Sequence, residues 1–169
     1  MANTYKAIAT VTATTSVANI EFTSIPATYT DLVVKICART DVAGNNRTTI
    51  NFKFNNSTAS QSMRTLFGYD SATTESATYT DLRLSVPAAG ATASTFGNAE
   101  LYVPNYAGSN NKSVSVDSVN ENNSSSAWLI GFWAGLWSNT AAITSITFTP
   151  ASGNFVQYST ATLYGIKNS

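Results

Sequence analysis

Apolar and polar residues alternate one by one through much of the chain. From Thr49 to Asn55, Ile50, Phe52 and Phe54 fall on one side of an extended backbone, and Thr49, Asn51, Lys53 and Asn55 fall on the other. That is the period of a strand with one face buried and one face wet. The same reading places strands near Val17–Thr23, with Ile20 and Phe22 inward, and near Leu82–Val86, Ala99–Val103 and Val114–Val119. Ala7–Ala13, Leu32–Arg39, Ser145–Thr149 and Thr160–Ile166 complete the set of short alternating segments. Clusters of Gly, Pro, Asn and Ser at Val42–Asn46, Pro87–Gly90, Pro104–Asn111 and Pro150–Asn154 read as the turns between them. No window carries a helical stripe. Roughly nine or ten strands divided by turn chemistry predict an all-β fold, an antiparallel two-sheet sandwich of jelly-roll type. It forms a single domain over residues 1–169, with residues 1–13 as an N-terminal strand or arm. Strand order is not written in local periodicity, so other Greek-key sandwiches fit the same pattern.

The segment Ala127 to Trp137 departs from the alternation. Trp128, Ile130, Phe132, Ala134 and Leu136 share one face of a strand, while Leu129, Gly131, Trp133, Gly135 and Trp137 share the other, so both faces are apolar. Leaving Trp133 and Trp137 wet would forfeit roughly 1.5 to 3 kcal/mol for each and create an adhesive patch. Three arrangements fit: ordinary core packing, a subunit interface, or a platform on which sugar rings stack. Glycines between the tryptophans let a partner, a ligand or the chain's own atoms come close to the backbone. A second irregularity is an exact internal echo, Ala27-Thr28-Tyr29-Thr30-Asp31-Leu32 and Ala77-Thr78-Tyr79-Thr80-Asp81-Leu82, each leading into a strand. In both copies Thr-Asp is suited to satisfying backbone donors at a strand entrance, and Tyr to capping the edge of a core.

Composition narrows the functional classes. Hydrophobic residues make up 43% of the chain and charged residues only 11%, against about 25% in ordinary soluble proteins, so the exterior is built of Thr, Ser and Asn. Nine basic and nine acidic residues give a formal net charge of zero. Counterion release from nucleic acid therefore has no evident source, and no nucleic-acid partner is expected. No segment approaches the roughly 18 apolar residues needed to cross a bilayer, and the N-terminal stretch has no secretory pattern, so neither a membrane partner nor export is expected. The lone cysteine, Cys37, lies in the apolar run Leu32 to Ala38 and is expected to be buried and inert.

Catalytic chemistry has few footholds. The chain contains no histidine, which removes the usual proton shuttle and the commonest metal ligand. Zinc spacings, phosphate loops and nucleophile elbows are missing from the sequence. Nine acids remain, Glu21, Asp31, Asp41, Asp70, Glu75, Asp81, Glu100, Asp117 and Glu121, and they fall singly. A pair meeting in the fold could serve glycoside hydrolysis, and those around Asp117 to Glu121 could hold calcium without any EF-hand spacing. The expectation is a non-enzymatic protein with no cofactor.

Several of these stretches, in order, resemble small virion proteins of tailed bacteriophages, notably those of cyanobacteria and marine bacteria. The resemblance is carried by Tyr29-Thr30-Asp31-Leu32-Val33-Val34, Ile50-Asn51-Phe52-Lys53-Phe54-Asn55 and Val103-Pro104-Asn105-Tyr106. It continues through Gly135-Leu136-Trp137, Ile143-Thr144-Ser145-Ile146-Thr147 and Leu163-Tyr164-Gly165-Ile166, and so covers about Ile20 to Lys167. It implies a β-sandwich virion component, either a capsid decoration (cement) protein or a module of head or tail fibres. The sequence shows no heptad or glycine-periodic shaft, which favours the decoration protein. On that reading the chain is made in the host cytoplasm and sits on the outer surface of the head. It binds the major capsid protein and copies of itself, as a homotrimer. Trp133, Trp137, Gly135, Tyr5 and Ile8 are the expected interface residues. The alternative is a fibre module that binds a host receptor or surface glycan.

Overall fold

The computed structural model describes residues 4–69, 73–122 and 128–167. Among the described residues twelve strands form in chain order: β1 (Tyr5–Thr12), β2 (Ile20–Phe22), β3 (Asp31–Ala38), β4 (Arg47–Phe54), β5 (Gln61–Tyr69), β6 (Thr73–Tyr79), β7 (Leu82–Pro87), β8 (Gly97–Val103), β9 (Lys112–Asn120), β10 (Leu129–Trp137), β11 (Ile146–Pro150) and β12 (Thr160–Ile166). Among the described residues there is no helix, and so none long and apolar enough to cross a membrane. An eight-stranded sheet in the order β1-β12-β3-β8-β9-β10-β5-β6 faces a four-stranded sheet in the order β2-β11-β4-β7. Every pairing is antiparallel. The pairings are nested: β1 with β12 and β2 with β11, then β3 with β8 and β4 with β7. Most successive strands thus cross from one sheet to the other, while β5–β6 and β8–β9–β10 continue within the large sheet, giving a two-sheet sandwich. The nine segments read from the alternation all appear, as does the two-sided segment ending at Trp137. β5 and β6 were not among them.

The alternation sets what goes inside. Leu32, Val34 and Ile36 of β3, Ile50, Phe52 and Phe54 of β4, Leu82, Leu84 and Val86 of β7, and Leu101 and Val103 of β8 fill one shared core. At its centre the rings of Phe52, Phe54, Phe148 and Trp137 stand 5.6 to 5.8 Å apart in tilted or edge-on pairs, separations at which aromatic pairs attract beyond their burial. Cys37, expected inside, is exposed. In β3 the period of two turns Val34, Ile36 and Ala38 inward and Lys35 and Cys37 outward, and this outweighs the apolar character of the run.

Buried polar groups tie the loops to this frame. Arg39 is buried, and its guanidinium donates to the carbonyls of Ala89 (3.2 Å), Ala91 (3.0 Å), Thr92 (2.9 Å) and Thr95 (2.9 Å), pinning the connection between β7 and β8. Lys112, fully buried, does the same for the turn before β9 by donating to the carbonyls of Gly108 (2.7 Å) and Asn110 (2.5 Å). Where the sheets close on each other, Ser118 of β9 donates to the carbonyl of Ser85 in β7 at 2.6 Å. A buried donor left without such an acceptor would cost more than the bond itself contributes.

The two copies of the hexapeptide adopt different conformations. Residues 27–30 form turns ahead of β3, whereas 77–79 are the last residues of β6. Tyr29 lies over Gly165, where a Cβ would come within 2.3 Å of the tyrosine ring. Tyr79 instead carries the Arg83 guanidinium 3.7 Å above its ring. Asp31 accepts from the backbone N–H of Asn105 (2.8 Å) and the hydroxyl of Tyr102 (3.0 Å), while Asp81 accepts from Arg83. Both copies lead into strands, but identical local sequence is overridden by what each copy packs against. The core centre yields a direct check. Trp137→Ala removes the largest fully buried side chain and is expected to lower unfolding free energy by about 3–5 kcal/mol in denaturant titration.

Candidate functional site

β10 is the sixth strand of the large sheet, flanked by β9 and β5. Its inward set is Leu129, Gly131, Trp133, Gly135 and Trp137, all buried. Trp133 is 5% exposed and Trp137 1%. The expectation that these tryptophans and Gly135 form an interface is therefore corrected: they face the other sheet, because the larger apolar area on that side of β10 is the one the core takes up. The glycines give space to the chain's own side chains. A Cβ on Gly131 would lie 2.3 Å from the Trp133 ring, and one on Gly135 would lie 2.7 Å from Leu82 and 2.8 Å from Val114.

The same alternation then forces the second apolar set of β10 outward. Phe132 is 62% exposed and Ile130 50%. In register on β5, Leu66 stands beside Phe132 and is 51% exposed. Ala134 sits between Ser115 of β9 and Arg64 of β5. This apolar centre is set in a polar field of Ser62, Ser113, Ser76 and Thr78. Beside Phe132, a hollow of about 390 Å³ is walled by Arg64, Leu66, Ser115, Phe132 and Ala134.

Across the strands from Phe132 runs a charged row. Asp117 of β9 is its neighbour, Glu100 of β8 is opposite Asp117, and Lys35 of β3 is opposite Glu100. The Lys35 ammonium and Glu100 carboxylate are 2.9 Å apart on the open surface, a pairing worth little in water. Burial, and secondarily the Glu100 charge, push the Asp117 carboxyl above its ordinary range. A second hollow of about 390 Å³ lies over this row, lined by Lys35, Cys37, Asn98, Glu100, Asp117 and Thr162 among others. Among the described residues no three acids, cysteines or histidines gather as metal ligands. Two hollows thus meet at the Asp117–Phe132 pair, one polar and one apolar. The arrangement offers hydrogen bonding and apolar contact side by side.

Tyr5 and Ile8 lie elsewhere. Both are on β1, the edge strand at the far end of the large sheet from β6. Tyr5 is exposed and meets the Tyr164 ring edge-on at 6.3 Å, and Ile8 is half-buried at a break in register between Ala7 and Ala9. They are not brought together with the β10 surface. Sequence reasoning found the two-sided strand and offered core packing for its tryptophans beside an interface role, but did not single out Phe132 and Ile130 on the opposite side. It missed Leu66 because β5 mixes apolar and polar residues on its outer face, with Arg64 next to Leu66. Asn123, Ser124, Ser125, Ser126 and Ala127 lie outside the described residues, as do Met1, Ala2 and Asn3.

Compared with known proteins, the chain matches no protein-family model, no curated protein and no solved structure.

The Asp117 environment makes a signed prediction. A carboxyl that ionises less readily in the folded chain than in the unfolded one withdraws stability as pH rises through its unfolded range and on through its folded one. Asp117→Asn is therefore expected to raise the thermal midpoint near neutral pH and leave it unchanged well below the carboxylate range. Calorimetry at the two pH values checks this, and a lowered midpoint near neutrality would contradict it.

Proposed function

We propose that the chain is a non-enzymatic structural protein of a tailed-phage particle, a capsid decoration protein that attaches through the outer face of its eight-stranded sheet. One observation carries this reading: Phe132, Ile130 and Leu66 are each at least half exposed at the centre of an otherwise polar sheet face. Large apolar side chains grouped in this way mark a surface that a partner covers. A polar rim around an apolar centre is the anatomy of a protein interface.

The magnitudes suit a lattice. Covering the exposed halves of three such side chains contributes about 2–4 kcal/mol, which is small against the cost of bringing two molecules together. Weak single contacts become secure when many are made at once on a repeating surface. A formal charge of zero lets neighbouring copies sit close without mutual repulsion. The strand resemblance suits a phage particle, in which the major capsid protein and further copies of the chain are the expected partners.

A second reading is favoured by the polar hollow next to Phe132. Asp117 offers its carboxyl beside the exposed Phe132 ring, with Glu100 and Asn98 one strand further on, which suits a sugar ring on a fibre receptor module. The two readings separate by location and number. Particles assembled with the wild-type chain are expected to carry it at the head in numbers matching the capsid's symmetry positions. Phe132→Asp is expected to cut incorporation at least tenfold with the thermal midpoint of the free protein unchanged. A handful of copies at the tail, with adsorption to host glycan lost in the same variant, supports the fibre module. Incorporation indifferent to Phe132 refutes the outer face as the attachment surface.

A further inference from the structure

We infer that the occupant of the outer sheet face is the same face of a second copy, packed about a two-fold axis that lies in the interface and runs perpendicular to the strands. The inference rests on the reading of this face as an attachment surface and names what sits on it.

The first ground is shape. Phe132 projects from the face, and two residues along the same strand the small Ala134 floors the hollow walled by Arg64, Leu66 and Ser115. A knob and a hole one step apart on one strand are what an isologous contact requires, since residue i must meet j while j meets i. An axis midway between the Phe132 and Ala134 positions seats each Phe132 in the other copy's hollow.

The second ground is charge. In register across the sheet, one row reads Lys35, Glu100, Asp117, Phe132, Leu66, and the next reads Val33, Tyr102, Ser115, Ala134, Arg64. The axis exchanges these two rows and keeps each strand over its counterpart. Asp117 then meets the Ser115 hydroxyl, Glu100 lies over the Tyr102 ring while keeping its Lys35 partner, and Leu66 meets the aliphatic stem of Arg64. No carboxylate opposes a carboxylate and no cation opposes a cation. An axis parallel to the strands through β10 would instead set Phe132 on Phe132, leave the hollows empty and press Asp117 against Leu66, desolvating a carboxylate without a donor.

The third ground is area. Strands β3, β8, β9, β10, β5 and β6, spaced about 4.8 Å apart along about 20 Å of length, present roughly 600 Å² per copy, so a pair reaches the roughly 1,200 Å² at which specific interfaces begin.

The test is the association state of the purified full chain by sedimentation equilibrium, together with directed cross-linking. The wild type is expected to be a dimer, and both Phe132→Asp, which charges the knob, and Ala134→Trp, which fills the hole, are expected to be monomers whose thermal midpoints match that of the wild type diluted until it dissociates. Should Phe132→Asp fail to fold, Ala134→Trp carries the result. On a Cys37→Ser background, a mixture of Ser115→Cys and Asp117→Cys chains is expected to oxidise to the mixed dimer in preference to either like pair. A wild-type monomer, a trimer, a dimer indifferent to both variants, or like pairs forming as readily as mixed ones each overturn the inference. If the wild type is monomeric while Phe132→Asp still abolishes incorporation into particles, the occupant is a different protein and the attachment reading survives. If neither self-association nor incorporation responds to Phe132, both fall.

Discussion

A two-layer sandwich buries one face of each sheet, and a strand has two faces. The whole external character of this protein follows from that constraint acting on β10. Its period of two sorts nine residues into an inner set with two tryptophans and an outer set with Phe132 and Ile130. The core can accept only one set, and it takes the larger. Trp137 then completes the ring cluster with Phe54, and Gly131 and Gly135 clear the space in which Trp133 and the side chains of β7 and β9 come together. What remains outside is apolar because the strand has nowhere else to put it. A chain whose surface is otherwise hydroxyl and amide therefore acquires one adhesive region, positioned by the demands of its own interior.

The cations reinforce this division. Arg39 and Lys112 are used up inside, on the carbonyls of the loops they hold, and Arg83 is engaged by Asp81 and stacked on Tyr79. Three of the nine basic residues are thereby engaged within the chain. On the large sheet's outer face Lys35, Glu100 and Asp117 form one row, ending against Phe132, with Arg64 in the row beside it. Charge and apolar area are thus arranged in lines across the strands, so any surface that covers this face must match it in both directions. That gives the face a register as well as an affinity.

The fold class was legible because the alternation in β2, β4, β8 and β9 is nearly unbroken, and because glycine, proline and asparagine fall where the chain turns. Strand order came only with the structure, since the nested pairing of β1 with β12 and β3 with β8 joins segments that no local pattern connects. β5 escaped notice because it turns the polar Thr65 inward beside Met63 and the apolar Leu66 outward, so its sequence does not alternate. Cys37 and the tryptophans show the same limit from the other side. An apolar run says that something is buried, but which residue of it turns inward depends on register, and register is settled by pairing partners. The hexapeptide makes the point most simply, being a turn in one place and the end of a strand in another.

The exposed position of Cys37 gives the chain a property that its apolar sequence neighbours conceal. It is the only sulfhydryl in the molecule, and it opens onto the polar hollow over Lys35, Glu100 and Asp117. A dye or spin label attached there needs no engineered residue and reports from the same side of the sheet as Phe132. The natural protein thus carries its own tag on that side.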